Sequence, residues 1–90
     1  MLELNKIYNT DALEGLKQLD ENSIDAIISD PPYQLTTREN DIVLDPFIGS
    51  GTTAMSSILL KRRFIGFERE EEYYKIATER IKFYQKQEVL

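Results

Sequence analysis

Short apolar runs alternate with helically spaced apolar positions along this chain, and that alternation predicts its elements. Lys6-Ile7-Tyr8-Asn9 reads as a short strand. Asp11 then stands as an N-cap with Glu14 three residues on, the spacing of a capping box. Leu13, Leu16 and Leu19 draw the apolar stripe of a short helix ending near Asp20. After the turn at Glu21-Asn22-Ser23, Ile24 to Ser29 (IDAIIS) is nearly continuous in apolar residues, the mark of a parallel strand covered on both faces. Asp30-Pro31-Pro32-Tyr33 stops it, because two prolines cannot continue a hydrogen-bonded ladder. Gln34 to Asn40 is polar and turn-like. Asp41 to Leu44 (DIVL) is another buried strand, closing at Asp45-Pro46. Gly49, Ser50 and Gly51 form a tight loop, Thr52-Thr53 open a helix running to about Lys61, and Arg63 to Phe67 (RFIGF) is a strand ending at Glu68. From Glu70 on, Tyr73, Ile76, Ala77, Arg80, Ile81 and Tyr84 trace an amphipathic helix, acidic in its first turn and basic later, which suits the helix macrodipole.

Strands alternating with helices predict an α/β fold, a Rossmann-like, open and mainly parallel sheet of about four strands with flanking helices. The expected strand order is 3-2-1-4. No internal repeat or low-complexity tract interrupts the pattern.

Ninety residues make one small domain, whose stability is marginal until a ligand or partner adds to it. A hydrophobic fraction of 41% is ordinary for a globular domain and too high for a disordered one. The longest stretch of large aliphatics, Ile58-Leu59-Leu60, stops at Lys61, far short of a membrane span. Met1-Leu2-Glu3-Leu4-Asn5 has neither the basic region nor the apolar core of a signal peptide, so the expected location is the cytoplasm. Cysteine and histidine are both absent, which excludes disulfides, thiolate nucleophiles, the usual zinc sites and a Ser-His-Asp triad. With 11 basic against 16 acidic residues and a net charge of −5, the chain alone is a poor DNA binder, and a cationic small ligand suits its field better.

Two motifs carry chemistry. In Asp45-Pro46-Phe47-Ile48-Gly49-Ser50-Gly51-Thr52-Thr53, a strand end, a glycine-rich turn and a helix start follow one another. Glycines let backbone approach a ligand closely, and the helix N-terminus offers N–H groups. Asp45 is placed to accept a hydrogen bond from a ligand ammonium. A P-loop is the rival, but Thr52 stands where its lysine would be needed. Glu68, at the end of the next strand, has the position of the acid that holds ribose hydroxyls in nucleoside-binding α/β folds; a solvated acid or a helix N-cap is the alternative. The second motif, Asp30-Pro31-Pro32-Tyr33, is a rigid strand-end loop. Its Asp30 carboxylate and Pro31 carbonyl could accept both N–H groups of an exocyclic amine, and Tyr33 offers a flat face for stacking a base. A Pro-Pro turn with Tyr33 in the core is the structural alternative, as a plain strand-helix turn is for the glycine motif.

Together, DPPY followed by DPFIGSGTT resembles the amino-methyltransferases that modify DNA at adenine N6 or cytosine N4, in the permuted order where the catalytic motif comes first. Residues 1–33 and 40–84 both resemble that family. The resemblance implies S-adenosylmethionine as cofactor, DNA as substrate and no metal. It implies catalytic roles for Asp30, Pro31, Pro32 and Tyr33, and cofactor contacts from Asp11, Asp45, Pro46, Phe47, Gly49, Ser50, Gly51, Thr52, Thr53 and Glu68. Asp rather than Ser before Pro-Pro-Tyr favours adenine N6. Residues 1–90 then form a single methyltransferase core, with 1–33 its catalytic half, 41–90 its cofactor-binding half and 34–40 the junction. Two other functions compete. One is a non-catalytic S-adenosylmethionine-binding or oligomerising remnant; the other is methylation of another amino or amide group such as a glutamine side chain, against which Asp30 weighs.

The junction departs from the family, whose members carry a long insertion there with the target-recognition region. Asp30 and Asp45 must lie at one edge of adjacent parallel strands. A five-residue strand is about 17 Å long, and seven extended residues reach about 25 Å, so Gln34 to Asn40 can span the return as a bare strap. Parallel crossovers usually take a dozen or so residues and include a helix. Exchange of halves between two chains, or residues absent between the two segments, is therefore expected ahead of the strap, and an antiparallel hairpin last. DNA binding is then weak, or depends on the absent region or a partner.

Overall fold

The computed structural model describes residues 2–27, 38–49 and 51–88. The elements are β1 (Lys6–Tyr8), α1 (Ala12–Leu16), β2 (Ala26–Ile27), β3 (Ile42–Asp45), α2 (Thr52–Leu59), β4 (Arg63–Phe67) and α3 (Glu71–Glu88). The strands form one four-stranded sheet whose described pairings are all parallel. With helices packed on it, this is the Rossmann-like α/β architecture that the alternating pattern predicts.

The order within the sheet corrects the expectation. It runs β1-β4-β3-β2 rather than 3-2-1-4. Both orders pair the second strand with the third and the first with the fourth, but here β4 joins β3, and β1 and β2 become the edges. Burial gives the reason. Val43, Leu44, Phe64, Ile65 and Phe67 are wholly inaccessible, so β3 and β4 need cover on both faces and both flanks. Lys6 and Tyr8 of β1 and Ile27 of β2 keep some exposure and tolerate an edge. Ile27 is 67% exposed, so β2 is not the strand covered on both faces that its composition predicts.

Successive residues of β4 serve the two faces in turn. Phe64 packs with Ile7, Ile48, Ala54, Ile58, Ala77 and Ile81 beneath α2 and α3. Ile65 and Phe67 pack with Leu44 on the other face, closed by Leu2, Leu4, Tyr8, Leu19 and Ile24. Each such aliphatic or aromatic side chain contributes roughly 1.5–3 kcal/mol on full burial.

Two helices sit differently from their apolar stripes. In α1 the buried residue is Gly15, while Leu13 and Leu16 are exposed. A Cβ at Gly15 would lie 2.5 Å from the Phe67 ring, so the missing side chain lets the helix rest directly on that ring. The helix is also shorter than expected, ending at Leu16 with Lys17 as its C-cap. In α3, Tyr74, Ala77, Ile81 and Tyr84 face the core, and Tyr73 and Ile76, expected in the stripe, are exposed.

Candidate functional site

β1, β3 and β4 end at Tyr8, Asp45 and Phe67 along one edge of the parallel sheet, the edge where open α/β folds take ligands. A cleft of about 180 Å³ opens there, lined by Asp11, Ala12, Pro46, Phe47, Phe67, Glu68, Arg69 and Glu70. Four residues singled out in the sequence, Asp11, Pro46, Phe47 and Glu68, thus come together from three separate segments.

Asp11 serves first as a cap. Its Oδ1 accepts the Glu14 backbone N–H at 2.9 Å, which satisfies one of the open donors at the start of α1. The Glu14 carboxylate turns to Lys17 Nζ at 3.2 Å. A carboxylate has about four lone-pair positions, so the exposed Asp11 can cap the helix and still face the cleft.

Asp45 is buried, and its Oδ1 accepts the Phe47 N–H at 3.0 Å. That bond fixes the turn through Pro46 and leaves the Phe47 ring 69% exposed at the cleft. Beyond it, Gly51 is the N-cap of α2 with φ of 93°, left-handed backbone that glycine adopts without steric cost. A Cβ at Gly51 would sit 3.2 Å from the Ala77 Cβ, so α3 presses directly on the loop. Thr53 is buried in the first turn of α2, where its carbonyl accepts the Ser57 hydroxyl at 2.8 Å. Asp45, Gly49, Gly51 and Thr53 shape the loop and do not line the cleft. Asp30, Pro31, Pro32, Tyr33 and Ser50 lie outside the described residues, as does the side chain of Thr52.

Glu68 joins three elements. Its Oε1 accepts the Gly49 N–H at 3.0 Å, and its Oε2 accepts the Glu70 N–H at 2.8 Å just before α3. Its own N–H donates to the Tyr8 carbonyl at 3.0 Å. The cap alternative therefore describes part of what Glu68 does, while its place in the cleft wall keeps it available to a ligand hydroxyl.

Asn9 has no role in the sequence reading. Its Nδ2 donates to the Glu68 and Arg69 carbonyls at 2.9 and 3.1 Å, clamping the acid's backbone from 59 residues away. The one available signal was its place as the polar last residue of a strand. Asp11, Glu68 and Glu70 set three carboxylates against Arg69 alone, a field that favours a cationic ligand bearing hydroxyls and opposes a phosphate.

The described end of β2 points to the same edge. Ile27 pairs with Leu44, the residue before Asp45, and the strands are parallel within one chain. That pairing removes the antiparallel hairpin from the arrangements open at the junction.

A family model described as DNA methylase (N6/N4 methyltransferase) matches residues 34–79, just over half of the chain. This chain belongs to the DNA methylase family. A Type II methyltransferase of Lactococcus lactis subsp. cremoris, M2.LlaDCHI, is 54% identical over 46 residues, which are 51% of this chain and 17% of the relative. The Type II methyltransferase M.HindIII of Haemophilus influenzae is 51% identical over 47 residues, 52% of this chain and 15% of its own. The crystal structure of M1.HpyAVI superposes with a TM-score of 0.50 and 54% identity, covering 51% of this chain and 26% of that one. This chain thus aligns with less than a fifth of each of these two curated relatives. The family match carries β3, the glycine loop, α2, β4 and the first part of α3, and it begins directly after Tyr33. The resemblance drawn from the sequence was wider, also taking in residues 1–33. Among the described residues, no helix is long and apolar enough to cross a membrane.

Proposed function

We propose that this chain is the core of an S-adenosylmethionine-dependent DNA methyltransferase that transfers a methyl group to adenine N6. The observation that carries this reading is the meeting of Asp11, Pro46, Phe47 and Glu68 in one acidic cleft beside a glycine loop. The donor set suits the cofactor. Glu68 accepts from the ribose hydroxyls, Asp11 approaches the adenine, the exposed Phe47 ring lies against the flat base, and the α2 N-terminus receives the polar methionine end.

The cofactor supplies a methyl group on a positively charged sulfur. The residues of this chain supply position and polarity. Asp30 and the Pro31 carbonyl each accept one N–H of the target amino group, which returns electron density to a nitrogen otherwise delocalised into its ring. Pro32 stiffens the loop. Tyr33 stacks on the base, which must leave the duplex to reach the site. Asp30 receives the proton that the amino group gives up on methylation and passes it to water. Residues 1–33 form the catalytic half, 41–90 the cofactor-binding half and 34–40 the junction. Asp before Pro-Pro-Tyr, and not Ser, favours adenine over cytosine.

A second reading rests on the seven-residue junction and the net charge of −5, which leave little to hold DNA. In it the chain binds the cofactor, or pairs with a second copy that exchanges halves, without transferring methyl groups. Tritiated-methyl transfer to mixed-sequence DNA, run beside calorimetric titration of S-adenosylmethionine, separates the two. Transfer that Asp30→Ala abolishes, with cofactor binding largely kept, supports the enzyme; full turnover in that variant ends the proposal. Binding without transfer in the unaltered chain supports the second reading.

A further inference from the structure

A second cavity lies at the other edge of the sheet, where strands begin. It has a volume of about 380 Å³ and is lined by Asn5, Asn40, Ile58, Lys61, Arg62, Arg63 and Gln85. Asn5 leads into β1, Asn40 precedes β3, and Lys61 to Arg63 lead from α2 into β4. In a chain with 16 acids and 11 bases, its one run of three consecutive cations borders this cavity, whereas the cleft at the opposite edge is acidic.

Ion pairs among the described residues include Lys6–Glu3, Lys17–Glu14, Arg69–Glu70, Lys75–Glu71 and Lys82–Glu79, and none of these involves Lys61 or Arg63. Arg63 Nε donates to the Asn40 carbonyl at 2.9 Å, which fixes the guanidinium beside the cavity. Gln85 Nε2 donates to the Asn5 carbonyl at 3.1 Å on the opposite wall. Asp41, next in the chain, turns a carboxylate oxygen to the Arg38 N–H at 2.8 Å.

The backbone supplies a second, independent observation. Asn5, Asn40 and Lys61 hold φ of 62°, 69° and 60°, so three of the four left-handed non-glycine residues among the described residues surround this one cavity. Asparagine tolerates that conformation through local hydrogen bonds, but lysine gains nothing from it, and glycine is the usual residue just past a helix end. Strain of this kind persists where a side chain is needed.

We propose that this basal cavity binds a phosphoryl anion, with Lys61 and Arg63 as its ligands and Asn5, Asn40 and Gln85 as its polar walls. The site is independent of the methyl-transfer reading. It stands about 17 Å away along the strands, with the opposite charge. The anion is either a free phosphate compound or the phosphodiester of a nucleic acid, chemistry that the guanidinium fork and the lysine both recognise.

Thermal unfolding of the full chain tests this, with sodium tripolyphosphate titrated at an ionic strength held constant with sodium chloride. The melting temperature should rise by roughly 6–11 °C at ten times the dissociation constant. Lys61→Gly relieves the backbone strain, so it should melt at or above the parent in sodium chloride alone while losing at least half of the tripolyphosphate shift. Lys61→Asn, also tolerant of left-handed backbone, checks that loss of charge is responsible. If Lys61 served only the carboxyl end of α2 electrostatically, Lys61→Gly would keep the full shift, and that result overturns the proposal. So does a parent chain that responds to tripolyphosphate no more than to sodium chloride. Displacement of tripolyphosphate by a duplex oligonucleotide assigns the site to a nucleic-acid backbone; its retention assigns it to a free phosphate compound. Both results uphold the site.

Discussion

The carboxylate of Glu68 receives the Gly49 N–H on one oxygen at 3.0 Å and the Glu70 N–H on the other at 2.8 Å. One side chain therefore ties the glycine loop to the end of β4 and the start of α3 beside the cleft. A ligand hydroxyl approaching Glu68 meets a carboxylate already aimed by two backbone donors, and loop order and ligand affinity are coupled through it.

Glu68→Gln keeps the shape and removes one acceptor and the charge. Hydrogen bonds to a charged group are worth about 1.5–3 kcal/mol, so S-adenosylmethionine should bind roughly 10–100-fold more weakly. Calorimetric titration reads this directly. Affinity equal to the parent's would show that Glu68 is only a structural tie.

Asp11 separates its two roles by substitution. Asn caps helices about as well as Asp, so Asp11→Asn should leave denaturant stability within about 0.5 kcal/mol. Asp11→Ala should lose about 1 kcal/mol with the cap. A drop in cofactor affinity common to both variants assigns the carboxylate to the ligand, and unchanged affinity in Asp11→Asn assigns it to the helix alone.

At Gly51, φ of 93° and the 3.2 Å approach of an added Cβ to Ala77 act together. Gly51→Ala should destabilise the chain by about 1–3 kcal/mol through left-handed strain and the displaced helix. Urea unfolding measures it. A loss under half that size would mean that α3 yields at this contact.

Gly15→Ala would drive a methyl group into the Phe67 ring. The expected cost is about 1–3 kcal/mol, despite the better helix propensity of alanine. A stabilised variant would show that α1 lifts off the ring without penalty.

Much of the fold was legible because it is local. The apolar run RFIGF became β4 with the bounds expected, and Asp11 caps α1 as its spacing to Glu14 indicated. DIVLDP ends a strand at Asp45 and turns toward the glycine loop. For the candidate site, the sequence named Asp11, Pro46, Phe47 and Glu68, and these line one cleft; it had no means of naming Asn9, whose clamp on Glu68 and Arg69 exists only once β1 lies beside β4.

What the amino-acid order determined by itself is the kind of each element and the chemistry at strand ends, since periodicity, prolines and glycines act over a few residues. Which strands are neighbours was decided only in the folded chain. The competition among β1, β2, β3 and β4 for the centre of the sheet is settled by total burial, and β4 wins the place beside β3 because Phe64, Ile65 and Phe67 must be covered from every side. The seating of α1 follows the same logic. Leucines at helical spacing marked a face for burial, but within α1 Leu13 and Leu16 stay exposed and Gly15, with no side chain, rests on the Phe67 ring, while Leu19 beyond the helix packs against the same cluster.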